Sequence, residues 1–204
     1  MSKHLVIKLG GASLFHASPF QAPLSLMLQE YSQYKIYLIA GGGDLIESMR
    51  TIHRIHPSLD PVHMHWRCVR LLNETCTLAN ELFPLGSTIE TANDLMEFSQ
   101  FASGSVPDAR WVQVQSFYSE ASVACMPAAL TPRCGWETTT DALAWLLGVT
   151  VEAERVVLVK RADQDLGISL RSAAQQGIID SELERLCQEN GCHQPAIELR
   201  RLAA

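Results

Sequence analysis

A three-layer α/β sandwich on a largely parallel sheet is the fold class this sequence predicts, and three observations predict it. Short runs at residues 4–9 (HLVIKL), 35–40 (KIYLIA) and 155–160 (RVVLVK) are apolar at both parities, as strands buried on both faces are. Segments of helical periodicity lie between them. The first two runs end in consecutive glycines, Gly10-Gly11 and Gly41-Gly42-Gly43, which mark a tight exit from a strand. In such sheets ligands bind beyond the carboxyl ends of the strands.

The elements follow in order. After the first strand, residues 23–34 carry Leu24, Met27, Leu28 and Tyr31 at helical spacing, which completes a β-α-β unit with residues 35–40. Past the triple glycine, Asp44 is placed to cap a helix with Leu45, Ile46, Met49, Ile52 and Ile55, ending before Pro57. Pro61 opens a longer helix to about Leu82, with Trp66, Val69, Leu72, Cys76 and Ala79 as an inner stripe, and this helix is also a candidate dimer face. A shorter helix is expected at 91–101, a loop at 102–108 and a strand at 111–114. Pro127, Pro132 and Gly135 mark an irregular approach to a strongly apolar helix at 142–147, closed by Gly148. Helices at about 169–176 and 181–189 then separate the strand at 155–160 from a short last strand at 197–199. No repeat or linker interrupts the pattern, so residues 1–204 read as one domain.

Composition narrows the function classes. With 47% hydrophobic and 19% charged residues, the chain has material for a core and lacks the signature of disorder. Sixteen Lys plus Arg against 22 Asp plus Glu give a net charge of −6, which argues against nucleic acid and anionic membrane as partners. Lys8 breaks the N-terminal apolar stretch, and no run approaches the ~20 apolar residues of a membrane span, so a cytoplasmic location is expected. Cys68, Cys76, Cys125, Cys134, Cys187 and Cys192 form no CxxC pair or zinc spacing and read as reduced thiols. His53 and His56 are one turn apart, but Pro57 and Pro61 separate them from His63 and His65, so no metal site is expected.

Three motifs carry chemistry. In Lys8-Leu9-Gly10-Gly11-Ala12-Ser13 a strand sets an ammonium beside a turn whose amides can converge on an anion; the alternative is a surface lysine and a tight turn. Gly41-Gly42-Gly43-Asp44 offers a second anion the amides and dipole of a helix start, or else serves close packing alone. Neither is a dinucleotide or Walker fingerprint. Trp136-Glu137-Thr138-Thr139-Thr140-Asp141 places hydroxyls and a carboxylate at a helix start, as a cap or as an organiser of nearby lysines.

VIKLGGAS, LIAGGGDLIE, GWETTTDALAWLLG and VVLVKRAD stand in the order and approximate spacing of the amino acid kinase superfamily, which the chain resembles over most of its length. The helix with HWRCVRLLNETCTLANEL and the tryptophan before the threonine-aspartate motif look most like the small branch that phosphorylates aminomethylfuran phosphate in methanofuran biosynthesis. The resemblance implies phosphoryl transfer from ATP with Mg2+ to a small anionic acceptor, by positioning and charge neutralisation. Residues 1–150 would hold the acceptor and phosphoryl-transfer part, and 151–204 an abbreviated nucleotide part. It implies that Lys8 binds the transferring phosphoryl group, with amides of Gly10 and Gly11 and the neighbouring Ser13. Gly41, Gly42 and Gly43 would cradle the acceptor, with His65, Trp66 and Thr139 near it, while Asp141 orients the flanking lysines.

The chain also departs from that pattern. Lys160, Arg161, Ala162, Asp163 and Gln164 stand where the family has Thr or Ser and Asp-Val-Asp-Gly, and no lysine follows Lys160. Only Lys3, Lys8, Lys35 and Lys160 are lysines, so Lys160 is the candidate for the missing second catalytic lysine, with Arg161 and Asp163 at the nucleotide phosphates. A homodimer or higher homo-oligomer is expected, as in resembling families. The rival reading is a noncatalytic anion or nucleotide binder on the same fold.

Overall fold

The computed structural model describes residues 3–11, 14, 20–100, 108–160, 167–190 and 194–202. Apolar side chains on both faces make the first run a fully covered strand, β1 (Lys3–Leu9), in which Leu5, Val6, Ile7 and Leu9 are out of reach of solvent. It pairs with β2 (Tyr34–Ala40) on one side and β4 (Arg155–Lys160) on the other. β3 (Asp108–Trp111) adds beyond β2 and β5 (Ala196–Arg201) beyond β4, giving the order β3-β2-β1-β4-β5 with every pairing parallel.

Strand alternation sorts the core into two halves. Leu5, Ile7, Leu9, Ile36, Leu38 and Val157 pack with Leu24, Met27 and Leu28 of α1 (Gln21–Glu30). Val6, Tyr37, Ile39, Val156 and Leu158 face the other way, onto α6 (Thr140–Thr150) and α8 (Ser181–Glu189). Helices therefore cover both faces of the sheet, which makes three layers. The remaining helices are α2 (Gly43–Ile55), α3 (Pro61–Leu82), α4 (Ala92–Gln100), α5 (Glu120–Val123) and α7 (Leu170–Gln175). No helix among the described residues is long and apolar enough to cross a membrane.

Three local expectations change. The third strand lies at Asp108–Trp111, earlier than 111–114, because its register beside β2 starts at Lys35 and Asp108; Val112 makes only a lone parallel bridge with Ile89. Asp44 does not cap α2. The helix starts at Gly43, whose φ of 49° makes the sharp exit from β2, and Asp44 falls in the first turn. Gly148 does not close α6, which runs on to Thr150. Its missing side chain serves packing instead, since a Cβ there would come within 2.6 Å of Val156 Cγ2. The apolar stripe of α3, from Met64 through Ala79, is turned into the core, as its spacing predicts. Its exposed large apolar residues are Val62, Leu78 and Leu82.

Candidate active site

Parity and register bring two lysines together. Lys8 shares the parity of Val6, and Lys160 that of Val156 and Leu158, so both project toward the α6 layer. Lys8 pairs in register with Leu158, which sets Lys160 two residues further toward the carboxyl edge of the neighbouring strand. The first turn of α6 meets them there with Asp141, which is 3% exposed. Lys8 Nζ lies 3.0 Å from Asp141 Oδ1, and Lys160 Nζ donates to Oδ2 at 2.5 Å. The Lys8 contact lies off the hydrogen-bond direction and acts as an ion pair, whereas the Lys160 contact is a directed bond.

The electrostatics follow from one carboxylate shared by two cations. Burial pushes the Asp141 carboxyl up, but the ammonium groups of Lys8 and Lys160 outweigh it and hold it below its ordinary range. Burial and then the like charge of Lys8 pull the Lys160 ammonium down, against the opposing effect of Asp141. Lys8 and Lys160 thus present two ammonium groups to one buried carboxylate at the end of the sheet where ligands bind.

Above Lys8 opens a cleft of about 370 Å3. Gly11, Gly41, Gly42 and Gly43 form one side of it, and the two glycine turns touch each other. A Cβ on Gly11 would fall 2.0 Å from Gly43 N, and one on Gly41 would fall 2.7 Å from Gly11 N. Close packing thus requires these glycines whatever the turns bind. No side chain caps the start of α2, so its first amides remain available to the cleft.

Trp136 and His65 form the opposite wall. Trp136 Nε1 donates to His53 Nδ1 at 2.7 Å, so His53 must donate from Nε2 to Leu59 O at 3.0 Å. The Arg50 guanidinium lies 5.3 Å above the indole and also lines the cleft. His65 Nδ1 faces Gly135 O at 3.2 Å and therefore donates, leaving Nε2 to accept from Tyr118 O–H at 2.9 Å. Burial holds His65 below its ordinary imidazole range, only partly offset by Gly135 O and Glu137.

The residues read from the sequence divide as follows. Lys8, Gly11, Gly41, Gly42, Gly43, His65 and Thr139 line the cleft, and Asp141 and Lys160 meet Lys8 beneath it. Gly10 lies outside the lining. Trp66 is placed elsewhere, in the core, stacked on Tyr118 with ring centroids 5.1 Å apart. Ser13, Arg161 and Asp163 lie outside the described residues. Sequence reasoning passed over Arg50 and the wall role of Trp136, although the latter stood inside a motif already singled out. It also missed Asp180, which accepts from Thr139 and Ala142 and whose only local signal is its place before Ser181.

The residues present fit a phosphate chain: two ammonium groups on one aspartate, beside turns with open amides. Among the described residues no group of three His, Cys, Asp or Glu side chains converges.

No family model matches the sequence, and no curated protein does. Solved structures do match. The uridylate kinase from Archaeoglobus fulgidus is 16% identical, with 97% of this chain and 91% of that one covered and a TM-score of 0.61. For the UMP kinase from Ureaplasma parvum the values are 18%, 99%, 90% and 0.60; for that from Bacillus anthracis, 10%, 97%, 87% and 0.59. At such identities the likeness speaks to architecture, and with the parallel sheet between helical layers it shows that this chain has the amino acid kinase fold.

Proposed function

We propose that this chain is an ATP-dependent phosphotransferase acting on a small anionic acceptor. The observation that carries this reading is the Lys8–Asp141–Lys160 centre, buried at the carboxyl edge of adjacent strands and opening through Lys8 into the cleft. Mg-ATP, when bound, supplies the phosphoryl group and brings its own cation. Lys8 and Lys160 neutralise charge that moves between donor and acceptor oxygens, and Asp141 holds both lysines for it. The amides of the glycine turns orient the anions. Such an acceptor needs no general base, which suits a His65 kept neutral and engaged at both nitrogens.

The cleft supports an acceptor with a flat apolar body. Ile46, Val69, Leu72, Leu143 and Trp136 line it, and Glu47 stands at its wall for an ammonium. A phosphate monoester bearing an aromatic amine, of the aminomethylfuran phosphate kind, meets that description. Self-association belongs to the same proposal and would use Leu45, Ile52 and Ile55 on the outer side of α2; sedimentation showing only monomer removes it.

Titration calorimetry with Mg-ATP should show saturable one-to-one binding, and small phosphorylated amines should then elicit ADP release. Lys160→Ala should lower turnover by at least about 100-fold while the protein keeps its fold, because it removes charge stabilisation from the reacting group; retention of most activity would sink the role given to Lys160. The second reading, a noncatalytic anion binder, draws support from the glycines that packing alone explains. Phosphate binding without turnover on any acceptor would favour it.

A further inference from the structure

Asp180 joins two helices that meet beneath the cleft. It caps α8, Oδ1 accepting from Leu183 N–H at 2.6 Å. Its other oxygen serves α6. Oδ2 accepts from the N–H of Thr139 at 3.0 Å, from the Thr139 hydroxyl at 2.6 Å and from the N–H of Ala142 at 3.1 Å. The Thr139 hydroxyl, its proton committed to Asp180, turns a lone pair to Asp141 N–H at 3.3 Å. Asp141 thus sits between two residues that Asp180 pins, and its own amide is held through one of them.

Capping α8 needs only the Leu183 bond. The three bonds to α6 exceed that need, and they draw a carboxylate toward a second one, Asp141, where like charge opposes it. The cap of α8 does not require that approach; the bonds to the start of α6 do.

We propose that Asp180 is a positioning residue of the phosphoryl-transfer centre, fixing through Thr139 the turn from which Asp141 reaches Lys8 and Lys160. It rests on the reading of that centre given above. It also makes the segment after β4 part of the centre, although that segment contains no lysine of its own.

Competitive acetylation of the ligand-free protein tests this, with the exposed Lys3 as internal standard. Thr139→Val cuts the hydroxyl link but leaves the Asp180 charge and the α8 cap in place. Asp180→Asn removes the charge as well. In both, Lys8 and Lys160 should label roughly threefold to tenfold faster relative to Lys3, as expected for ammonium groups losing about one charge-assisted hydrogen bond. Thr139→Ser should restore the wild-type ratio. Unchanged ratios in folded Thr139→Val and Asp180→Asn overturn the proposal. Loss of a cooperative melt in both variants overturns it too, by assigning Asp180 to the fold alone. The readout needs no nucleotide, so absent Mg-ATP binding with the expected labelling would remove the phosphotransferase reading and leave the Asp180 link standing.

Discussion

Gly10 and Gly11 are neighbours under opposite constraints. A Cβ on Gly10 would make an ordinary contact 3.5 Å from Val159 O, whereas one on Gly11 would lie 2.4 Å from Gly43 Cα and 2.8 Å from Gly41 O. In urea unfolding, Gly10→Ala should stay within about 1 kcal/mol of wild type, and Gly11→Ala should lose about 3 kcal/mol, since backbone cannot yield as a side chain does. The two linked aspartates make a second prediction. Burial and then Asp141 push Asp180 up to about 6, so its stabilisation is full below the ordinary carboxylate range and is lost as pH rises through about 6. Asp141 acts in reverse, its contribution present above that range and lost as pH falls through its depressed value. Asp180→Asn should therefore flatten the decline in urea midpoint between about pH 4 and 6 and leave the acid limb. Lys8 and the glycine turns were legible because they stand at the carboxyl ends of strands, and Asp141 because it stands in the first turn of a strongly apolar helix. Trp66 was legible in the inner stripe of its helix; the expectation that set it beside His65 overlooks that adjacent helical residues point about 100° apart, so the helix that turns His65 to the cleft turns Trp66 into the core.

Among the helices, α6 and α2 are opposite cases. α6 is buried from Thr140 through Gly148, and that all-round apolarity was plain in the sequence. Its end was not, because Gly148 answers to Val156 and Pro195, distant residues that no local rule consults. α2 has no buried residue at all, and its ties include the partly buried Ile46 and the Trp136–His53 bond. Trp136→Phe keeps the ring but removes the donor. Amides in the second half of α2 should then exchange roughly fivefold faster, as for a lost hydrogen bond, while those of α6 keep wild-type rates. Equal acceleration in both helices would mean that Trp136 supports the whole domain rather than one wall of the cleft.

At the scale of the molecule, the sheet order was only half readable. Parallel strands and their helical crossovers follow from the pattern of runs, but pattern does not reveal that β1 lies between β2 and β4. That placement sets two lysines on one aspartate, and so the site depended on a topology that periodicity cannot supply. It also makes a prediction. A chain ending at residue 150 would keep β1 and β2 but expose the edge where Leu5 through Lys8 meet β4. Light scattering should find that fragment aggregated, since a bare, apolar edge strand recruits other chains.

The pairing of Leu5 with Arg155 carries a cost in time. At roughly 5–20 residues per second, the ribosome delivers β4 about 8–30 seconds after β1. Until then β1, whose Leu5, Val6 and Ile7 are fully buried in the finished fold, has β2 for a neighbour and one open edge. The chain is thus most exposed to chaperones and to misassociation late in its synthesis, and a pause just before residue 155 would lengthen the hazard while one after residue 201 would not.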